Sequence, residues 1–320
     1  MNRPLVPSNE TDNIVTAPHV RIGTRASLLA QWQADWVADE LRKLGATVEL
    51  VEITTSGDVQ QVGPIAGVGL PGVFTKEIQT AVLSQQVDIA VHSLKDLPTE
   101  TVDGLVLAAV PQRESPTDAF VSNTAQALAD LPPDARVGTG SPRRQAQLRH
   151  LRPDLQVADI RGNIDTRLRK LDEGQYDAVI LAAAGLRRLG WENRIRELLQ
   201  PPRMLPAPGQ GALGLECRAD DSVAGELLGE LDDLPSHQAV AAERSMLALL
   251  HAGCSAPVGA WGRIEGTKLV LDGLVANLEG TQVLRASARG EAASGDALGR
   301  TVAEQLLELG AAAIVEAARD

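Results

Sequence analysis

The sequence predicts an α/β protein with two doubly wound lobes, followed by a C-terminal α+β unit built on a three-stranded antiparallel sheet. Three observations carry this. Strand-like and helix-like segments alternate twice, from residue 19 and again from residue 136. A stretch dense in breakers, Pro201-Pro-Arg-Met-Leu-Pro-Ala-Pro-Gly-Gln-Gly211, then interrupts the pattern. Beyond it the chain reads as three β-rich runs joined by Gly-Thr turns, between two helices.

The first lobe opens with a strand over 19–24. A helix over 27–44 follows, with Leu29, Trp32, Trp36, Val37, Leu41 and Leu44 at helical spacing and Gly45 as its stop. The β-branched run 47–55 is a second strand. A glycine-rich loop, a helix ending near Ser84 and a strand over 87–93 complete the unit. The second lobe reads as strand 136–140, helix 142–151, strand 156–160, helix 164–172 and strand 176–182. In the last unit a helix covers 236–250, strands cover 258–264, 268–276 and 282–290, and a helix covers 296–309. The expected domains are 19–111 with 212–230, then 112–211, then 231–320. Residues 1–18 read as a disordered lead-in, interrupted by Pro4, Pro7 and Pro18 and lacking the apolar core of a signal peptide.

Composition narrows the function. With 320 residues, 44% hydrophobic, the chain has material for a sizeable core. No run approaches the roughly 20 apolar residues of a membrane span. Two cysteines, Cys217 and Cys254, argue against a disulfide scaffold and for a reducing, cytoplasmic setting. The net charge of −12 disfavours a general nucleic-acid surface. Yet residues 136–203 hold thirteen Arg and one Lys against eight acids. A basic segment in an acidic protein points to a confined anion site.

The basic motifs fall where helices begin after strands, at the sheet edge that lines ligand crevices in doubly wound folds. In Thr139-Gly-Ser-Pro-Arg-Arg144, Ser141 suits an N-cap and Pro142 the first helical position. Arg143 and Arg144 oppose the helix dipole there, which a bound carboxylate or phosphate would balance; a solvated pair is the plain alternative. Arg161-Gly-Asn163 with Arg167 repeats the setting, and Arg187 and Arg188 follow the strand 176–182. Asp96, in His92-Ser-Leu-Lys-Asp-Leu-Pro98, is a carboxylate at the same edge, suited to stabilising a cation or accepting a proton; a structural turn is the alternative. Gly67-Val-Gly-Leu-Pro-Gly72 is a poor dinucleotide fingerprint, since no buried strand leads into it, and reads better as a surface loop or lid. Zinc is not expected, because only His251 and Cys254 lie close together. The small, polar neighbours of Cys254 favour an accessible thiolate, against a buried bystander thiol.

Taken in order, Arg21-Ile-Gly-Thr-Arg-Ala-Ser27, His92–Asp96, Gly138–Arg144, Arg161–Asn163, Ala183–Arg188, Pro208–Gly211 and Gly253-Cys254 make the chain closely similar to the hydroxymethylbilane synthase (porphobilinogen deaminase) family. The resemblance implies two lobes like those of periplasmic binding proteins and a third domain presenting the cysteine. It implies deamination and head-to-tail joining of four porphobilinogens on a dipyrromethane cofactor, covalently attached to Cys254. It also implies Asp96 as catalytic residue and cofactor contacts from Ser93, Lys95, Thr139, Ser141, Arg143, Arg144, Gly162, Arg167 and Arg188. Substrate contacts would come from Arg25, Ser27, Gln31, Phe74, Arg161, Arg188 and Gln210. Arginine suits this chemistry because each pyrrole carries an acetate and a propionate, which a guanidinium binds bidentately. No metal, nucleic acid or membrane partner is implied, and a cytoplasmic monomer is expected. Gly67 and Pro71 stand where the family often has loop lysines, which puts the grip of that loop in question. A cytosolic oxyanion-binding sensor is the non-enzymatic alternative; it would need neither the third domain nor Cys254.

Overall fold

The computed structural model describes residues 17–55, 75–252 and 256–318. The loop expected from the sequence to form a lid, with Gly67, Pro71 and Phe74, and Cys254 lie outside the described residues. The chain starts with β1 (His19–Thr24), α1 (Leu28–Lys43) and β2 (Thr47–Glu52), then α2 (Lys76–Leu83), β3 (Ile89–Ser93) and β4 (Leu105–Ala109). The Ser27 hydroxyl caps α1 by accepting the Ala30 N–H, and Arg42 and Lys43 complement the dipole in its last turn. The buried stripe of α1 is Ala34, Val37, Ala38 and Leu41, with Gln33 beside it. Trp32 and Leu44, expected in that stripe, are 37% and 43% exposed: Trp32 falls almost half a turn from the centre of the buried face, and Leu44 is the C-cap at the end of the helix.

The second sheet uses β5 (Asp118–Ser122), β6 (Arg136–Gly138), β7 (Gln156–Ala158), β8 (Ala178–Ala182) and β9 (Glu197–Leu199), with helices α3 (Pro142–Leu151), α4 (Ile164–Asp172) and α5 (Ala183–Arg188). Its strand order is β7-β6-β8-β5-β9. β10 (Leu213–Arg218) then returns to the first sheet, giving the order β2-β1-β3-β10-β4. Both sheets are therefore mixed rather than wholly parallel. β10 runs antiparallel to β3 and β4, and β5 antiparallel to β8 and β9. The helical crossovers enforce parallel pairing only between strands they directly connect; a strand arriving by a long excursion enters from the opposite end.

After β10 come α6 (Ser222–Gly229), α7 (Leu234–Leu249), β11 (Val258–Glu265), β12 (Lys268–Ala276), β13 (Val283–Glu291), α8 (Gly295–Glu308) and α9 (Ala311–Ala317). The last three strands form an antiparallel meander, β11-β12-β13, as expected. One face carries α7, α8 and α9 over a core that includes Met246, Leu271, Val302 and Leu306. The crossing of α7 and α8 is close enough that a Cβ on Gly299 would run into the Ala242 carbonyl.

α7 is also tied to the lobes. Arg113, between β4 and β5, makes a bidentate pair with Glu243 of α7 at 2.8 and 3.1 Å. Glu243 is fully buried and also accepts the N–H groups of Gly209 and Gly262 at 2.7 Å each.

Candidate functional site

The parallel strands of both sheets end at a shared cleft of about 560 Å³. From the first lobe it receives the residues following β1 and β3, and from the second those following β6, β7 and β8. Six cations line it (Arg25, Lys95, Arg144, Arg161, Arg167, Arg188) against three aspartates, Asp96, Asp159 and Asp165. The protein carries a net charge of −12, yet its cleft is positive. Low-dielectric walls focus that field on an anionic ligand.

On the first-lobe wall, β3 is buried along most of its length and ends at Ser93, whose hydroxyl accepts from Gln33 Nε2 at 2.8 Å. A single 3-10 turn, Leu94–Asp96, then directs Lys95 and Asp96 into the cleft. Leu94 is fully buried and anchors the turn from below. Solvent reaches Lys95 through the cleft, but protein crowds it on the other sides. That desolvation holds its pKa below the ordinary lysine value; Asp96 opposes the shift, while Arg144 and Arg143 add to it. Beneath the same strand end, His92 Nε2 lies 2.9 Å from Glu216 Oε2, and that oxygen accepts from Gln79 Nε2 at 3.0 Å.

On the second-lobe wall, Gly162 turns the chain into α4 at φ +106°, where a Cβ would stand 2.6 Å from Thr166 Cγ2. Its carbonyl accepts from Arg167 Nε at 2.7 Å. Arg188 donates to the Gly211 carbonyl at 2.7 Å and stands over the Trp32 ring, 5.9 Å from its centroid. Burial lowers both Arg167 and Arg188 to about 10. Neither has an ion-pair partner among the described residues, so both guanidinium groups keep donors for a ligand. Arg161 leans on Asp159 at 3.1 Å at the exposed rim.

Several expected contacts are placed elsewhere. Arg143 is 3% exposed and does not line the cleft among the described residues. Its charge is balanced inside the protein: Asp118, fully buried at the start of β5, accepts from Arg143 Nη1 at 2.6 Å and from Arg144 Nε at 2.9 Å. The two arginines hold the Asp118 carboxyl far below the usual range, against its burial. The two arginines at the start of α3 share this one carboxylate, which leaves the trio with a net positive charge; Arg144 lines the cleft wall, and Arg143 does not among the described residues. Gln210 belongs to the same buried cluster, donating to Asp118 at 2.9 Å. Thr139 is fully buried and accepts the Ser141 N–H at 3.2 Å, while the Ser141 hydroxyl makes no cap. Gln31 is exposed and away from the cleft; the glutamine that lines it is Gln33, one of the α1 residues turned inward. A polar residue on the buried stripe of α1 was the signal for Gln33. Arg25, Ser27, Ser93, Lys95, Asp96, Arg144, Arg161, Gly162, Arg167 and Arg188 all line the cleft.

Comparison with known proteins gives matches along most of the chain. A family model described as porphobilinogen deaminase, dipyromethane cofactor binding domain, matches residues 20–226, and one described as porphobilinogen deaminase, C-terminal domain, matches residues 237–308. The chain is 48% identical over 299 residues to the porphobilinogen deaminase of Syntrophobacter fumaroxidans, covering 93% of this chain and 97% of that protein. It is 49% identical over 302 residues to that of Desulforudis audaxviator, covering 94% and 98% respectively. Among solved structures, the methionine-binding protein MetQ overlays with a TM-score of 0.43 at 12% identity, covering 69% of this chain and 90% of that one.

Proposed function

The chain belongs to the porphobilinogen deaminase family of transferases, the hydroxymethylbilane synthases, and we propose that the cationic cleft is where it joins four porphobilinogens. The observation that carries this is the state of Arg167 and Arg188. Two half-buried guanidinium groups without an ion-pair partner among the described residues face a cleft that also holds Asp96. A ligand bearing several carboxylates and a ring that becomes cationic fits this set; a single small oxyanion would leave Asp96 without a use. The match to the C-terminal family model likewise gives the sensor alternative no support.

The same lining fits the family's dipyrromethane cofactor, whose acetates and propionates match the donors of Arg144, Arg167, Arg188 and Lys95. Bound through a thioether to Cys254, that group supplies the pyrrole end on which the chain grows. Arg25, Ser27 and Arg161 line the same cleft and in this reading would hold the carboxylates of incoming porphobilinogen. Asp96 would accept hydrogen bonds from pyrrole N–H groups. Its charge would stabilise the cation left on the substrate as ammonia departs, and it would take up the proton displaced at the coupling carbon. Gln33 orients Ser93 beside it.

In this reading residues 19–111 with 212–230, 112–211 and 231–320 act as three domains. The enzyme works as a cytoplasmic monomer without a metal. No helix among the described residues is long and apolar enough to cross a membrane.

The test is intact mass together with turnover. Purified protein is expected to exceed its polypeptide mass by two linked porphobilinogen units, and Cys254→Ala to lack the excess. Wild type should consume porphobilinogen and release ammonia, and Asp96→Ala should not. Equal turnover by wild type and Asp96→Ala would overturn the assignment of Asp96.

A further inference from the structure

We infer that Arg244 of α7 is a positioning residue for Asp96, acting from the third unit by gripping the backbone immediately beyond the carboxylate. Its Nη1 donates to the Leu97 carbonyl at 2.8 Å and its Nη2 to the Pro98 carbonyl at 2.7 Å. One guanidinium thus spans two consecutive peptide units, and the first belongs to the residue directly after Asp96.

The grip has a second component on the same helix face. Val240 stands one turn before Arg244, on the i, i+4 row. It is fully buried in one cluster with Leu94, Leu97, Val110 and Ala212. Leu94 and Leu97 bracket Asp96, so α7 supports the turn apolarly through Val240 and by hydrogen bonds through Arg244. Proline has no N–H to hold this turn to the sheet, and Leu97 N–H goes back to the Leu94 carbonyl. Among the described residues neither the Leu97 nor the Pro98 carbonyl accepts a backbone N–H, so both depend on the side chain from α7. Burial lowers the Arg244 pKa, and Glu216 opposes that shift. A half-buried guanidinium spending both of its terminal nitrogens on two neutral carbonyls is an arrangement that packing alone would not require. The same helix ends at Leu249, five residues before Cys254 in the sequence.

The inference rests on Asp96 being the reacting carboxylate. A shift of about 1 Å in a positioned group can cost on the order of 100-fold in rate. Arg244→Met keeps the length and packing of the side chain and removes both donors. It is expected to lower kcat roughly 10- to 100-fold, with KM for porphobilinogen within about twofold, since the carboxylate-binding arginines lie elsewhere. Arg244→Lys retains one donor and should recover part of the loss. The control is Arg285→Met, which removes another guanidinium-to-carbonyl bond, to Pro202 at 3.0 Å, far from Asp96 in the sequence; its kcat should match wild type.

Steady-state kinetics of the cofactor-loaded enzymes, with loading measured by intact mass, decides the matter. Wild-type kcat in Arg244→Met, or Arg244→Lys no better than Arg244→Met, overturns the inference. If Arg244→Met does not fold, the Lys variant is compared with Arg244→Gln by the same criterion. An active Asp96→Ala would instead overturn the underlying assignment of Asp96, whatever the Arg244 variants do.

Discussion

Replacing Asp118 by alanine gives the sharpest test of how this cleft is supported. The carboxylate is fully buried and accepts from Arg143 Nη1 (2.6 Å) and Nη2 (3.2 Å), Arg144 Nε (2.9 Å) and Gln210 Nε2 (2.9 Å). Without it, two buried guanidinium groups would share only the carbonyls of Leu205 and Ile180 and the Gln210 side-chain oxygen. Breaking a buried pair by removing one partner costs about 3–5 kcal/mol. At about 2.1 cal/mol/K per residue the unfolding entropy of this 320-residue chain is on the order of 0.7 kcal/mol/K, so each 1 kcal/mol moves Tm by roughly 1.5 °C and a fall of about 4–8 °C is expected. Asp118→Asn keeps an acceptor and should fall between. Urea unfolding followed by circular dichroism, with thermal melts alongside, measures both variants. The pH dependence adds a second signature. The folded-state pKa of Asp118 is depressed, so its stabilisation is complete above the unfolded value of about 4 and is lost as pH falls toward the lower folded value. The gap between wild type and Asp118→Ala should therefore be flat from about pH 6 to 8 and narrow below about pH 4. A loss under about 1 kcal/mol at pH 7, or a gap that widens in acid, would refute the reasoning.

Four further outcomes follow from the same geometry. Gln33→Ala should lower kcat/KM several-fold by freeing Ser93, whereas Gln31→Ala, on the exposed side of α1, should match wild type in the same porphobilinogen assay. Arg188→Leu removes a charge-assisted donor worth about 1.5–3 kcal/mol, so kcat/KM should fall roughly 10- to 150-fold, with Arg188→Lys in between. Gly162→Ala forces a Cβ onto the Thr166 side chain at positive φ and should lower stability by about 1–3 kcal/mol in urea unfolding. Glu243→Gln should destabilise by roughly 1–3 kcal/mol, because Arg113 and the Gly209 and Gly262 N–H groups all converge on that carboxylate.

Where chemistry is local, the sequence made it legible. Ser27 before α1, Pro142 opening α3, Gly162 before α4 and the Asp96 turn after β3 are each encoded within a few residues, and their contributions to the cleft could be read. The three C-terminal strands were legible for the same reason: their registers follow from short turns. What could not be read is what distant segments do to one another. Arg143 sits at a helix start, as an anion-binding residue would, but its partner is 25 positions upstream, in a strand that looks like any buried apolar run. Thr139 and Gln210 are buried, and their partners lie within 112–211: Thr139 accepts the Ser141 N–H, and Gln210 donates to Asp118, 92 positions away, which no local pattern announces. The mixed character of the sheets has the same origin, since nothing within Leu213–Arg218 records which strands it will separate.

That separation bears on how the chain folds as it is synthesised. β3 and β4 are not hydrogen-bonded to each other; β10 lies between them, more than 100 residues later in the chain. While residues 110–212 are being made, the first sheet has a slot lined on both sides by unpaired backbone groups, the kind of exposed edge that invites wrong pairing. All five strands of the second sheet fall within 118–199, so that lobe can finish while the earlier one is still open. The lobe that begins first is closed second, and a ribosome pause just before residue 213 would lengthen the interval in which a chaperone, or another nascent chain, could occupy the slot meant for β10.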